Sequence, residues 1–139
     1  AIKGVNIYDD FAHHPTAIRL TIEAVREAYP EQRIWAIFEP RSATCRRKIF
    51  EDKLPKSFVA ADSVIISDLF APEKIDLEDR LNPEQVVEHI NKDGGKAYFI
   101  PDIEVLVNKL VTECRPNDVL IIMSSGEFSG IHQKLITRL

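Results

Sequence analysis

Val119-Leu120-Ile121-Ile122-Met123 is the stretch of this sequence that decides its fold. All five side chains are apolar, so a strand formed here is apolar on both faces. Such a strand belongs in a sheet that other elements cover on both sides. Further apolar runs predict strands at 2–8, 33–38, 63–67 and 96–100.

Amphipathic helices are predicted between these strands. Apolar residues recur at helical spacing from Ile18 to Tyr29, and Pro15 marks the first helical position. Asn82 and Asp102 are expected to cap two later helices. Strands that alternate with helices in this way favour βαβ units with right-handed crossovers, and therefore an α/β domain with a mostly parallel sheet.

The composition is that of one soluble globular domain. The chain has 139 residues, of which 45% are apolar and 29% are charged, and these fractions argue against disorder. With a net charge of −4 and scattered basic residues we expect no nucleic-acid partner, and no apolar stretch is long enough to cross a membrane. The two distant cysteines, Cys45 and Cys114, indicate a reducing compartment, so we expect a cytoplasmic protein.

The first of three unusual loops runs from Asp9 to Thr16, directly after the opening strand. It holds two acids and two histidines where open α/β sheets bind their ligands. Paired acids can bind Mg²⁺ or a ribose hydroxyl, and an imidazole can donate to a phosphate. The alternative is structural, with Asp9 capping the next helix and both histidines satisfying backbone groups.

The other two loops could bind anions. Residues 38–47 place Arg41, Arg46 and Arg47 around a predicted helix start, which suits a carboxylate or a phosphate unless these are solvated surface residues. Residues 124–130, Ser-Ser-Gly-Glu-Phe-Ser-Gly, could offer backbone amides to an anion. This segment matches neither the P-loop nor the dinucleotide fingerprint.

These loops carry a family resemblance. Asp9-Asp10-Phe11-Ala12-His13-His14-Pro15 resembles the Asp-Asp-Tyr-Gly/Ala-His-His-Pro motif that opens the C-terminal domain of Mur ligases. Phe38-Glu39-Pro40-Arg41-Ser42 and the segment 123–132 are similar to the branch of that family that adds a tripeptide. The alanine-adding branch usually has Phe-Gln-Pro-His-Arg in the first of these places, and it is the nearest alternative.

The resemblance implies a three-layer, Rossmann-like α/β sandwich with a mostly parallel six-stranded sheet and helices on both faces. One strand of that sheet is antiparallel, and the opening strand is our candidate for it. Residues 1–139 would be the third domain of a three-domain enzyme, without the N-terminal domain and the central ATPase domain. This fits a chain that starts abruptly on a strand with Ala1 and contains no P-loop.

The implied reaction joins the tripeptide L-alanyl-γ-D-glutamyl-meso-diaminopimelate to UDP-N-acetylmuramate in peptidoglycan recycling. It uses ATP and Mg²⁺, bound mainly by the central domain, and passes through an acyl phosphate. No complete catalytic set is expected in this chain, which should be inactive alone and should ligate no metal by itself.

The resemblance also assigns residues. The nucleotide would contact Asp10, Phe11 and His13, and the tripeptide would be bound by Arg41, Thr44, Arg47, Ser125 and Gly126. Phe11 stands where the family usually has tyrosine, and Ser125 and Glu127 stand where its loop has asparagine and glycine.

Two readings from other classes of protein compete with the ligase. A response-regulator receiver domain would use Asp9 and Asp10 for Mg²⁺ and Asp68 as the phosphoryl acceptor, although the lysine expected after the last strand is replaced by Ser124-Ser125. A stand-alone anion-binding module would use only the arginine and glycine loops.

Overall fold

The computed structural model describes residues 4–12, 14–40, 53–68, 80–124 and 128–139. Strands and helices alternate along the chain, as the sequence predicts. The strands are β1 (Asn6–Asp10), β2 (Ile34–Phe38), β3 (Ser63–Ile66), β4 (Ala97–Phe99) and β5 (Val119–Met123). The helices are α1 (Pro15–Ala28), α2 (Leu54–Ser57), α3 (Pro83–Lys92), α4 (Ile103–Glu113) and α5 (Ile131–Arg138).

The described strands form one five-stranded sheet in the order β1-β5-β2-β3-β4, and every pairing in it is parallel. The expectations of six strands and of an antiparallel opening strand were therefore wrong for the part of the chain that the structure describes. Strand β1 pairs in parallel with β5, from Asn6 beside Val119 to Asp10 beside Met123. Helix α1 carries the chain back along the sheet, so β1 and β2 start from the same edge.

Strand β1 also lies further along the chain than predicted, at residues 6–10 instead of 2–8. Asp9 and Asp10 are thus the last two residues of the strand and not the loop after it. An edge strand tolerates such polar residues because one of its sides has no neighbouring strand. The apolar pairing partner β5, and not the pattern within β1, determines where the strand ends.

The sheet is covered on both faces, which confirms the prediction from the apolar stretch at 119–123. Val119, Ile121 and Met123 pack into a core that contains residues of α1, α2 and α3. Leu120 and Ile122 pack into a second core with residues of α4 and α5. Asn82 and Asp102 cap α3 and α4 as expected, each accepting hydrogen bonds from two backbone amides. No helix in the described ranges is long and apolar enough to span a bilayer.

A buried carboxylate fastens β5 to β2 at the amino ends of the two strands. Oδ2 of Asp118 accepts hydrogen bonds from Arg33 Nη2 at 2.6 Å, Arg33 Nε at 3.1 Å and Trp35 Nε1 at 3.1 Å. The backbone amide of Arg115 donates to the same oxygen at 3.0 Å. The contact with Asp118 raises the pKa of the Arg33 guanidinium above its ordinary value.

Replacing Asp118 with alanine should lower the free energy of unfolding by about 3 kcal/mol, because it leaves the Arg33 and Trp35 donors without a common acceptor. Urea denaturation measures this loss. Glu23→Ala serves as the control, since its exposed pair with Arg19 should contribute less than about 0.5 kcal/mol. An equal decrease in the free energy of unfolding in the two variants would show that the Asp118 contacts stabilise the fold no more than a surface ion pair does.

Candidate functional site

At the carboxyl edge of the sheet, the helix that follows β5 lies on the opposite face from the helices that follow its two neighbours, β1 and β2. Strands β1 and β2 lead to α1 and α2 on one face, whereas β5 leads to α5 on the other. In open α/β sheets, loops that leave adjacent strands toward opposite faces enclose a crevice. Such switch points at the carboxyl ends of parallel strands are where open α/β sheets bind ligands.

Hydrogen bonds join the ends of β1, β5 and β2 at this edge. The backbone amide of Ser124 donates to the carbonyl of Asp10 at 3.2 Å, and the amide of Glu39 donates to the carbonyl of Met123 at 3.1 Å. Ser124 Oγ also donates to Glu39 Oε1 at 2.8 Å, and both side chains are buried. The start of the loop after β5 is thus held directly against the start of the loop after β2.

A cleft of about 370 Å³ opens beside these strand ends. It lies between the end of β1 and the first turn of α5. The lining residues are Asp9, Asp10, Phe11, Ile122, Ser124, Phe128, Gly130, Ile131, His132 and Gln133. Phe11 is 74% exposed at the rim, which is unusual for a phenylalanine.

The two acids at the end of β1 and the described histidine after it differ in what they contact. Oδ1 of Asp10 accepts a hydrogen bond from the amide of Ala12 at 2.7 Å, which fixes the turn that presents Phe11. His14, and not Asp9, caps α1, because its Nδ1 accepts from the amide of Thr16 at 3.3 Å. The structural alternative is therefore correct for His14 and wrong for Asp9.

Asp9 instead contacts a residue that the sequence did not single out. Its Oδ2 lies 2.7 Å from Nδ1 of His132, which stands in the first turn of α5. The strand register explains the contact: Asp9 pairs with Ile122, whose side chain packs toward α5, so Asp9 lies on the same face of the sheet.

Only two of the predicted site residues, Asp10 and Phe11, lie within the described ranges, and both border the cleft. The others lie outside the described residues: His13, Arg41, Thr44, Arg47, Ser125 and Gly126. Their described neighbours Pro40 and Ser124 are buried at the ends of the adjacent strands β2 and β5. The two predicted substrate loops therefore leave the sheet next to each other.

A larger cleft, of about 620 Å³, lies at the opposite, amino edge of the sheet. Its lining includes Arg26, Asp62 and Gly94. The guanidinium of Arg26 is already used in the fold, since it donates to the carbonyls of Ala60 and Gln32 and to Asp62 Oδ2. Volume alone would identify this cleft as the ligand-binding site, but the strand topology favours the cleft at the carboxyl edge.

The strand order is incompatible with a receiver domain. Receiver sheets place the first strand centrally and beside the third, whereas β1 is here an edge strand separated from β3 by β5 and β2. At about 4.8 Å per strand, the acids of β1 lie roughly 14 Å from the end of β3, where Asp68 follows. Among the described residues no three histidine, cysteine or acidic side chains come together as metal ligands.

The fold and the site together define a doubly wound α/β domain with a cleft at a topological switch point. The chain belongs to the Mur ligase family, as its C-terminal domain: the family model for the Mur ligase glutamate ligase domain matches residues 1–126. The resemblance noted in the sequence is thereby confirmed.

Individual relatives agree with this membership. The UDP-N-acetylmuramate–L-alanyl-γ-D-glutamyl-meso-2,6-diaminoheptandioate ligase of Escherichia coli is 40% identical over 135 residues, which are 96% of this chain and 27% of that protein. A crystal structure of murein peptide ligase from Psychrobacter arcticus has a TM-score of 0.82 at 29% identity, covering 99% of this chain and 28% of that one. This chain thus spans little more than a quarter of these proteins.

A solved structure of comparable extent also matches. It is a domain assigned to a ligase of the same substrates in Haemophilus ducreyi, with a TM-score of 0.75 and 39% identity. The match covers 99% of this chain and 93% of that one. A domain of this extent has therefore been crystallised without the remainder of its protein.

The serine that joins the two strand ends should contribute measurably to stability. Ser124→Ala removes a donor from the buried Glu39 carboxylate and should lower the free energy of unfolding by about 1 to 2 kcal/mol. Ser67 is the matched control: it is equally buried at the end of β3, but its hydroxyl donates only to the neighbouring carbonyl of Asp68. Denaturation curves in which Ser67→Ala is as destabilising as Ser124→Ala would contradict this role.

Proposed function

We propose that this chain is the C-terminal domain of an ATP-dependent ligase that joins L-alanyl-γ-D-glutamyl-meso-diaminopimelate to UDP-N-acetylmuramate. The observation that carries the proposal is the 40% identity, over nearly the whole chain, to the Escherichia coli ligase named for these two substrates. The amide bond would form through an acyl phosphate on the muramate carboxylate, as part of peptidoglycan recycling in the bacterial cytoplasm.

The proposed enzyme has two further domains, an N-terminal one for the uridine nucleotide and a central ATPase domain. The small share of each full-length relative that this chain covers supports additional domains. Residues 1–139 would close over the central domain and complete the site from one side. On this account the chain alone is inactive.

The nucleotide would bind in the cleft beside β1. Its residues fit this role, because an exposed aromatic ring can flank a base and a carboxylate can accept a hydrogen bond from a ribose hydroxyl. Phe11 and Asp10 would make these contacts, together with His13. When bound, ATP with Mg²⁺ supplies the phosphoryl group that activates the muramate carboxylate. The central domain would hold the metal ion.

The two sides of the β5 end are called its flanks, one toward β1 and one toward β2. The flank toward β2 would bind the tripeptide. Arg41, Thr44 and Arg47 follow β2, and guanidinium groups bind carboxylates through paired hydrogen bonds. Ser125 and Gly126 follow β5 and would line the same pocket. The buried contact between Ser124 and Glu39, at the start of both loops, supports their joint action. Glu39-Pro40-Arg41-Ser42 favours the tripeptide-adding branch over the alanine-adding one, which usually has Gln-Pro-His-Arg.

The direct test is an assay of the full-length protein that contains this chain. ADP release should require both UDP-N-acetylmuramate and the tripeptide, and the product should be the amide of the two. Release that depends on L-alanine and is indifferent to the tripeptide would assign the protein to the alanine-adding branch. No ADP release with either amine would contradict the ligase proposal.

Substitutions on the two flanks should change the KM values of different substrates. In the full-length protein, Arg41→Ala should raise the KM for the tripeptide at least tenfold while the KM for ATP changes little, because a lost charge-assisted hydrogen bond costs about 1.5 to 3 kcal/mol. His13→Ala should do the reverse. The assignment of the two flanks is wrong if either variant changes both KM values equally.

A further inference from the structure

The side-chain amide of Asn91 lies along the outer edge of β4, the last strand of the described sheet. Its Oδ1 accepts a hydrogen bond from the backbone amide of Ala97 at 2.7 Å, and its Nδ2 donates to the carbonyl of Ala97 at 3.1 Å. An asparagine side chain offers the same donor and acceptor as a peptide group. Asn91 therefore occupies the place that a peptide of a neighbouring strand would take.

Ala97 is a position at which the backbone of β4 faces outward. The carbonyl of Lys96 and the amide of Ile100 both form hydrogen bonds with β3, at 2.8 and 3.0 Å. Because the backbone groups of a parallel strand point alternately to its two sides, those of Ala97 and Phe99 point away from β3. Without Asn91, the donor and the acceptor of Ala97 would both face an approaching strand.

The turn between α3 and β4 brings Asn91 to this position. The amide of Gly95 donates to the carbonyl of Ile90 at 2.9 Å, which reverses the chain directly after the helix. A Cβ on Gly95 would lie 2.7 Å from Cγ2 of Ile90, and Gly94 has a φ of +91°. This close reversal therefore suits glycine at both positions.

Other features of β4 also protect the edge. The strand has three residues, which is short, and Pro101 two residues beyond Phe99 has no N–H to donate. Short edge strands and prolines are devices by which proteins prevent a sheet from pairing with another chain. The hydrogen bonds from Asn91 to Ala97 add a third such device at the start of the strand.

A second copy of this chain would match the edge that Asn91 covers. If two β4 strands met antiparallel about a two-fold axis, Ala97 of each copy would lie opposite Phe99 of the other. Outward-facing residues that lie opposite each other in an antiparallel pair exchange two hydrogen bonds. Asn91 holds the two groups of Ala97 that this pairing would need.

The charges beside β4 are also self-complementary. Helix α3 borders the same edge, where a groove of about 600 Å³ lies between α3 and Phe99. The helix has Glu84 in its first turn and Lys92 in its last. In the two-fold arrangement the α3 helices of the two copies would run antiparallel and bring these opposite charges together.

We propose that Asn91 is an edge-guarding residue: by bonding both backbone groups of Ala97, it prevents β4 from pairing with β4 of a second copy. The device is formed by contacts within α3 and β4. It is independent of the ligase function proposed above.

Sedimentation of the full-length protein at increasing concentration tests the proposal. Asn91→Ala should self-associate about tenfold more tightly than the wild type, because pairing no longer requires breaking a hydrogen bond within each copy. Asn108→Ala is the matched control: it removes another exposed helical asparagine, whose contact is with Arg138 on α5. It should leave the association unchanged.

A double variant tests whether the association uses β4. Replacing Ala97 with proline in the Asn91→Ala background removes the N–H that the second copy would bond. Proline is tolerated at the first residue of an edge strand, which is the position of Ala97. The double variant should therefore associate no more tightly than the wild type.

Hydrogen exchange locates the pairing within the chain. In Asn91→Ala at low protein concentration, the amide of Ala97 should exchange faster than in the wild type. At high concentration the amides of Ala97 and Phe99 should become protected. Thermal denaturation verifies that each variant is folded.

Two results would overturn the proposal. If Asn91→Ala associates no more tightly than the wild type, Asn91 stabilises the end of the strand but guards nothing, even where the amide of Ala97 exchanges faster. If the association persists in the double variant, it does not use the edge of β4.

Discussion

Strand β5 lies between β1 and β2 and pairs with both along its whole length, and this placement constrains the rest of the molecule. A strand with five apolar residues can occupy such a central position only when both faces of the sheet are covered. At its amino end, Asp118 ties it to β2 through Arg33 and Trp35. At its carboxyl end, Ser124 links it to Asp10 on one side and to Glu39 on the other. A strand that is buried along its whole length thus also ends at the centre of the site.

The division of the site into two flanks follows from this placement. The element that follows β5 lies on the opposite face of the sheet from those that follow its two neighbours. The flank toward β1 has acids, an exposed aromatic ring and an imidazole, which suit hydroxyl groups and a base. The flank toward β2 begins with Glu39 and continues into a sequence with several arginines, which suits a substrate with several carboxylates. This difference is the reason for assigning the nucleotide to one flank and the acidic peptide to the other in the proposed function.

Local patterns in the sequence were enough to predict most of the strands and helices. Apolar runs predicted the four strands β2 to β5, and Pro15, Asn82 and Asp102 marked helix starts that the structure confirms. Pairing between distant segments was not predictable in the same way. The extent of β1, its parallel direction and its edge position all depend on β5, which lies more than a hundred residues later in the chain. The proximity of Asp9 and His132 depends on the same pairing, so it could not be predicted before the strand order was known.

The central claim is that ligands meet this domain at its carboxyl edge, around β5. Hydrogen exchange of the full-length protein, with and without ATP, tests it most directly, because backbone amides report on contacts along the whole chain. The account predicts slower exchange upon nucleotide binding at residues 9–12 and 130–133. It predicts no change at 30–33 and 93–96, which border the larger cleft at the amino edge. Protection at the amino edge with none at the carboxyl edge would contradict it.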